Sequence, residues 1–147
     1  MSLDDQIKHL RRVATLNLFS TEALRLLCFS AETHIARSGE VLFREGDASS
    51  GGYILLEGEI ALESMGRAPT LVGPDTLIGE TALITQTQHP SSATARGNCT
   101  VLKVPRTLFH RVLREFPDDA RKLRKEFAAR TKIMQGEMGK VKEKFLG

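Results

Sequence analysis

The stretch best suited to chemistry is Leu77-Ile78-Gly79-Glu80-Thr81-Ala82-Leu83-Ile84, an apolar run that ends in Gly-Glu and becomes a short helical turn. Gly79 permits a tight passage from strand to helix, and the exposed N–H groups of the first turn form an anion site. A phosphate suits that position. Glu80 could accept a hydrogen bond from a ribose hydroxyl, as carboxylates do in dinucleotide folds; an acid in a first turn also simply stabilises the helix dipole. Other chemistry lacks its groups. His9, His34, His89 and His110 show no paired spacing for a metal, and nucleophile elbow, Walker loop and Rossmann fingerprint are all absent. The expectation is a non-catalytic chain with no metal and no cofactor.

The elements that must position this turn follow from periodicity. Leu3, Ile7, Leu10, Val13 or Ala14, and Leu16 predict one amphipathic helix from Asp4 to Leu16, with Asp4 and Asp5 at its positive end. Ser20 can cap a second helix beginning at Thr21-Glu22. From Ile35 to Val104 the texture changes to short β-type runs: His34–Arg37, Val41–Arg44, Tyr53–Leu56, Glu59–Glu63, Thr70–Val72, Ser92–Ala95 and Thr100–Val104. Glycine-rich turns separate them, among them Ser50-Gly51-Gly52 and Glu57-Gly58. Helix returns after Pro105, breaks at Phe116-Pro117, and resumes near Asp118 and Asp119. The whole is one domain, 1–147: helices over 1–33, a β-roll over 34–104 and a helix pair over 105–147.

Charge is uneven along the chain. Up to Leu102 there are 8 basic and 12 acidic residues, a net of −4; from Lys103 onward there are 13 and 6, a net of +7. The basic end reads as a solvated helix face; it could also attract an acidic partner. Along the last helix Ala120, Arg124, Phe127, Thr131, Met134, Met138, Val141 and Phe145 alternate at spacings of four and three, a diluted heptad seam. Its first half is expected against the body and its second half against a copy of itself, giving a homodimer. The longest apolar run, Tyr53-Ile54-Leu55-Leu56, is far too short to span a membrane. Cys28 and Cys99 lie far apart without metal-type spacing, consistent with a reducing cytoplasm.

The order of pieces, Gly39-Glu40, Glu45-Gly46-Asp47, Glu57-Gly58-Glu59 and Gly79-Glu80-Thr81-Ala82-Leu83 between flanking helices, resembles the cyclic-nucleotide-binding domain family. The resemblance runs from about Leu16 to about Phe116. It implies a mainly β fold, a jelly-roll-like double-stranded β-helix with flanking helices, acting as a regulatory sensor of cAMP or cGMP. It further implies that Glu80 holds the ribose 2′-hydroxyl and that an arginine pairs with the cyclic phosphate. That arginine is missing: alignment on Ala-Thr puts Ser91 at its position and an ungapped count puts Pro90 there. Ser91, Ser92 and the N–H groups from Gly79 to Ala82 are then the candidate ligand contacts, with Arg96 the nearest downstream cation. The closing helix offers Thr131 or Gln135 as contacts to a base. No helix-turn-helix has room to follow, so no DNA-binding domain is expected.

Overall fold

The computed structural model describes residues 1–130. Helix α1 (Leu3–Arg11) leads through a 3-10 turn (Leu16–Leu18) to α2 (Thr21–Ser30). Then come β1 (Glu32–Ala36), β2 (Val41–Phe43), β3 (Gly51–Glu63), β4 (Thr70–Val72), β5 (Thr76–Ile78), the short helix α3 (Glu80–Ile84) and β6 (Ser92–Pro105). Helix α4 (Arg106–Glu115) follows, and α5 is described over 117–130. All strand pairings are antiparallel, and the strands form one six-stranded sheet.

Two long strands organise the sheet. β3 and β6 pair from Gly51↔Pro105 to Glu63↔Ser92, and each has two short partners on its other edge. β6 takes β1 along Cys99–Lys103 and β2 along Ala93–Thr94; β3 takes β5 along Tyr53–Leu55 and β4 along Ile60–Leu62. The register shifts around Glu57, where Gly58 has φ +97°. A Cβ at Gly58 would lie 2.7 Å from the Asn98 carbonyl oxygen and 2.9 Å from Cys99 Sγ, so this bulge requires glycine. The bulge re-aims the strand and lets the sheet roll up.

Alternation along these strands separates two cores. Ile54, Leu56, Leu102 and Val104 face the helices, packing with Leu10, Leu16, Phe19, Leu24, Leu27, Phe109 and Val112. Leu55, Ile60, Cys99 and Val101 face the inside of the roll with Ala36, Phe43, Ile78, Ala93 and Ala95. The middle of β3 is covered on both faces, which is why Tyr53-Ile54-Leu55-Leu56 reads as an unbroken apolar run rather than an alternating one.

Several sequence expectations need correction. The first helix stops at Arg11 rather than Leu16: the Arg12 and Val13 N–H groups bond the carbonyls of His9 and Leu10, and β-branched Val13 and Thr15 disfavour continuation. Glu57-Gly58 is a bulge inside one strand rather than a turn between two, and β6 is likewise continuous across Gly97. The sheet begins at Glu32 and ends at Pro105, slightly wider than 34–104. Gly51-Gly52 lies within β3, and Thr76–Ile78 is a strand in its own right. On α5, Leu123 is buried beside Ala120 while Arg124 stays exposed, so the inward face runs Ala120, Leu123, Phe127. The first half of the last helix does pack on the body.

Polar contacts tie the helices to the roll. Ser20 Oγ caps α2 by accepting from the Ala23 N–H and donates to Asp119 Oδ2 at 2.7 Å, joining α2 to α5. His9 Nδ1 lies 2.5 Å from Asp75 Oδ1 and Arg12 3.4 Å from Oδ2, holding α1 against the β4–β5 turn. Inside the roll, Tyr53, Phe43 and His89 form a row: ring centroids are 5.4 Å apart for the first pair and 3.8 Å for the second. Burial holds the His89 imidazole below its usual pKa of 6.5, against a weaker opposing pull from Asp47.

Gly51→Ala should destabilise the fold by about 3 kcal/mol in urea unfolding, because its Cβ would meet the Val104 carbonyl oxygen at 2.1 Å, whereas Gly73→Ala, with nothing within 4 Å, should be close to neutral. For His89, the unfolded chain binds more protons than the folded one as pH falls below 6.5, so stability declines through that window. In His89→Phe, which keeps the stack on Phe43, pH-dependent unfolding between about pH 7 and pH 5 should show a shallower decline than wild type.

Candidate functional site

The turn singled out in the sequence is built where β5 ends. Gly79 takes φ +83°, ψ +40°, the left-handed conformation that favours glycine, and delivers the chain into α3. Ala82 and Leu83 are buried, and Leu83 lies over Gly52, where a Cβ would come within 3.2 Å of its side chain. Glu80 and Thr81 are left at the surface of the turn, Glu80 half-exposed and Thr81 exposed.

The far end of α3 is clamped by α4. Arg106 donates from Nε to the Ala82 carbonyl oxygen at 2.8 Å and from Nη2 to the Ser49 carbonyl oxygen at 2.7 Å. His110 Nε2 lies 3.1 Å from the carbonyl oxygen of Ile84. Two α4 side chains one turn apart thus satisfy carbonyls that the short helix leaves free. The cassette is thereby tied to the loop before β3 and to the first helix after the roll.

Glu80 is already engaged. Its Oε2 accepts from Thr15 Oγ1 at 2.6 Å, and its Oε1 accepts from Arg130 Nη1 at 2.7 Å. Arg130 also lies 3.5 Å from Glu126 and stands over the Phe127 ring at 5.6 Å. One carboxylate therefore joins three distant segments: the turn after α1, the cassette and the last helix.

The segment expected to carry an arginine packs along the Glu45-Gly46-Asp47 turn. Gly46 N–H donates to the His89 carbonyl oxygen, His89 N–H to that of Asp47, and Ser49 N–H to that of Thr87. Ser92 Oγ accepts from the Glu45 N–H at 2.8 Å; Ser91 is half-buried between this contact and Pro90. Among the described residues no hydrogen bond links Ser91 or Ser92 to Gly79–Ala82. The 45–49 loop connects the two groups, its Glu45 end holding Ser92 and its Ser49 end reaching Ala82 through Arg106. Arg96 is exposed, opposite Glu59 on β3. Thr131 and Gln135 lie outside the described residues.

Thr15, Ser49, Arg106 and Arg130 escaped the sequence reading. Arg106 had a weak signal, a cation at the first position of the helix after the roll. Arg130 adjoins Thr131, the residue picked for the lid, but nothing in the sequence pairs it with a glutamate 50 positions earlier. Among the described residues no group of three or more His, Cys, Asp or Glu could hold a metal, and no helix is long and apolar enough to cross a membrane.

Known proteins resemble this arrangement. A cyclic nucleotide-binding-like protein of Brucella abortus is 39% identical, with a TM-score of 0.70, covering 76% of this chain and 99% of that one. The N-terminal domain of a transcriptional regulator from Streptomyces coelicolor A3(2) is 26% identical, with a TM-score of 0.82, covering 88% and 94%. A lysophospholipase of Neurospora crassa is 33% identical over 107 residues, 69% of this chain; the chain spans only 7% of that protein's length. The family model of the cyclic nucleotide-binding domain matches residues 34–116, more than half of the chain. With its rolled antiparallel sheet, its Gly-Glu turn into a short helix and its closing helices, the chain belongs to the cyclic nucleotide-binding domain family.

Proposed function

We propose that the chain is a non-catalytic regulatory module in which a cyclic nucleotide or related anionic small molecule binds at Gly79–Ala82, with Ser91 and Ser92 lining the other side. The observation that carries this reading is the double engagement of Glu80 by Thr15 and Arg130. The carboxylate expected to meet a ribose hydroxyl is the one that tethers the last helix, so a ligand and Arg130 compete for it. A half-exposed ion pair of this kind contributes about 0.2–1 kcal/mol, small enough for a ligand to displace. Occupancy would then be read out as release or reseating of α5. The two distant, buried cysteines suit a reducing cytoplasm.

A second reading keeps the module as a scaffold that binds no cyclic nucleotide and acts in dimerisation, through the seam of the last helix, or in docking. It is favoured by Ser91 in the arginine's place, since the missing charged hydrogen bond costs about 1.5–3 kcal/mol, or about 10- to 150-fold in affinity.

Titration with cAMP and cGMP, read by calorimetry and thermal shift, separates the two. Heat and a raised melting temperature at up to about millimolar ligand are expected under the sensing reading; neither response would rule out cyclic-nucleotide sensing. Ser91→Arg should strengthen binding by at least about tenfold if the cassette geometry is intact. Arg130→Gln, which frees Glu80, should raise affinity by up to about fivefold; an unchanged affinity would show that ligand and α5 do not compete.

A further inference from the structure

The outer face of α2 carries a feature that the cassette does not use. Phe29 is 79% exposed although it lies in a well-formed helix, and with Leu3 and Leu26 it lines a groove of about 360 Å³ between the two N-terminal helices. The remaining walls are Glu22 and Arg25. No ion pair or hydrogen bond engages either side chain among the described residues. Glu22, Arg25, Leu26 and Phe29 stand at spacings of three and four, so the aromatic, the apolar groove and both charges share one outer face of α2.

We infer that this face, Glu22, Arg25, Leu26 and Phe29 of α2 with Leu3 of α1, is a self-association surface for a second copy of the chain. The residue order is self-complementary. If two α2 helices cross antiparallel at Arg25 and Leu26, Phe29 of each lies beside the partner's Glu22 and reaches the apolar groove. Arg25 then stands about 6 Å along the axis from the partner's Glu22, within reach of its guanidinium, at a rise of about 1.5 Å per residue. A two-fold axis makes both ion pairs at once, as an isologous contact requires. A partner of uniform charge would satisfy only one of the two side chains. The face is a single helical stripe beside one groove, so the association is expected to be weak. It is independent of whether the cassette binds a ligand.

Sedimentation of the full chain over a concentration series from about 10 µM to about 1 mM tests this. The expected result is a monomer–dimer equilibrium that weakens at least about tenfold in Phe29→Ser and about five- to tenfold in Glu22→Arg or Arg25→Glu alone. The double variant Glu22→Arg with Arg25→Glu should recover wild-type association to within about twofold, because the charges are exchanged on both copies. A monomer at all concentrations would overturn the inference. So would a dimer that is indifferent to these substitutions and lost instead in Val141→Asp on the last-helix seam, or a charge-swapped double variant that stays as weak as its parents.

Discussion

The antiparallel pairing of β3 with β6 is the contact on which the rest of the molecule depends. It is the longest ladder in the sheet, and each of the four short strands pairs with one of its two members. Its two faces carry two cores, one against the helices and one within the roll. A strand covered on both sides cannot slip by one residue without exchanging those faces, so this pairing fixes the register of everything attached to it.

The cassette inherits its position from that ladder. β5 holds onto Tyr53–Leu55, which sets Gly79 over Gly51 and Gly52, while β6 runs past the same end and continues directly into α4. Arg106 therefore emerges beside the short helix that it clamps. Glu80 alone departs from this local arrangement, since its partners come from the turn after α1 and from α5. The cassette is thus clamped by Arg106 and the sheet on its inner side and held at Glu80 by two part-buried side-chain contacts from distant segments on its other side.

The family, the placing of a β roll between helical ends, and the Gly-Glu turn were legible because each has a local signal: period, turn residue or motif. Ser20 was recognisable as a cap for the same reason. What was hidden is nonlocal. Gly51 and Gly58 look alike in a sequence, yet one is glycine because a neighbouring carbonyl leaves no room for a Cβ and the other also because its φ is positive. Both were read as turn residues: Gly58 split β3 in two, and Gly51 put its start at Tyr53. Thr15 and Arg130 approach Glu80 only through the packing of α1 and α5 on the body, which no spacing rule encodes. Arg124 was assigned to the inward face of the last helix on heptad spacing, but burial favoured Leu123, one residue earlier.

The β3–β6 ladder also bears on how the chain acquires its structure. Gly51 must find Pro105, and β1 and β2 reach β6 across separations about as long or longer, while only β4 and β5 pair with β3 across short ones. The entropy of closing such loops is lost before the pairings reward it. Folding is therefore expected on the scale of milliseconds to seconds rather than microseconds, even with short helices at both ends able to form early. During that interval the apolar middle of β3, destined to be covered on both faces, is the segment most exposed to pairing with another chain.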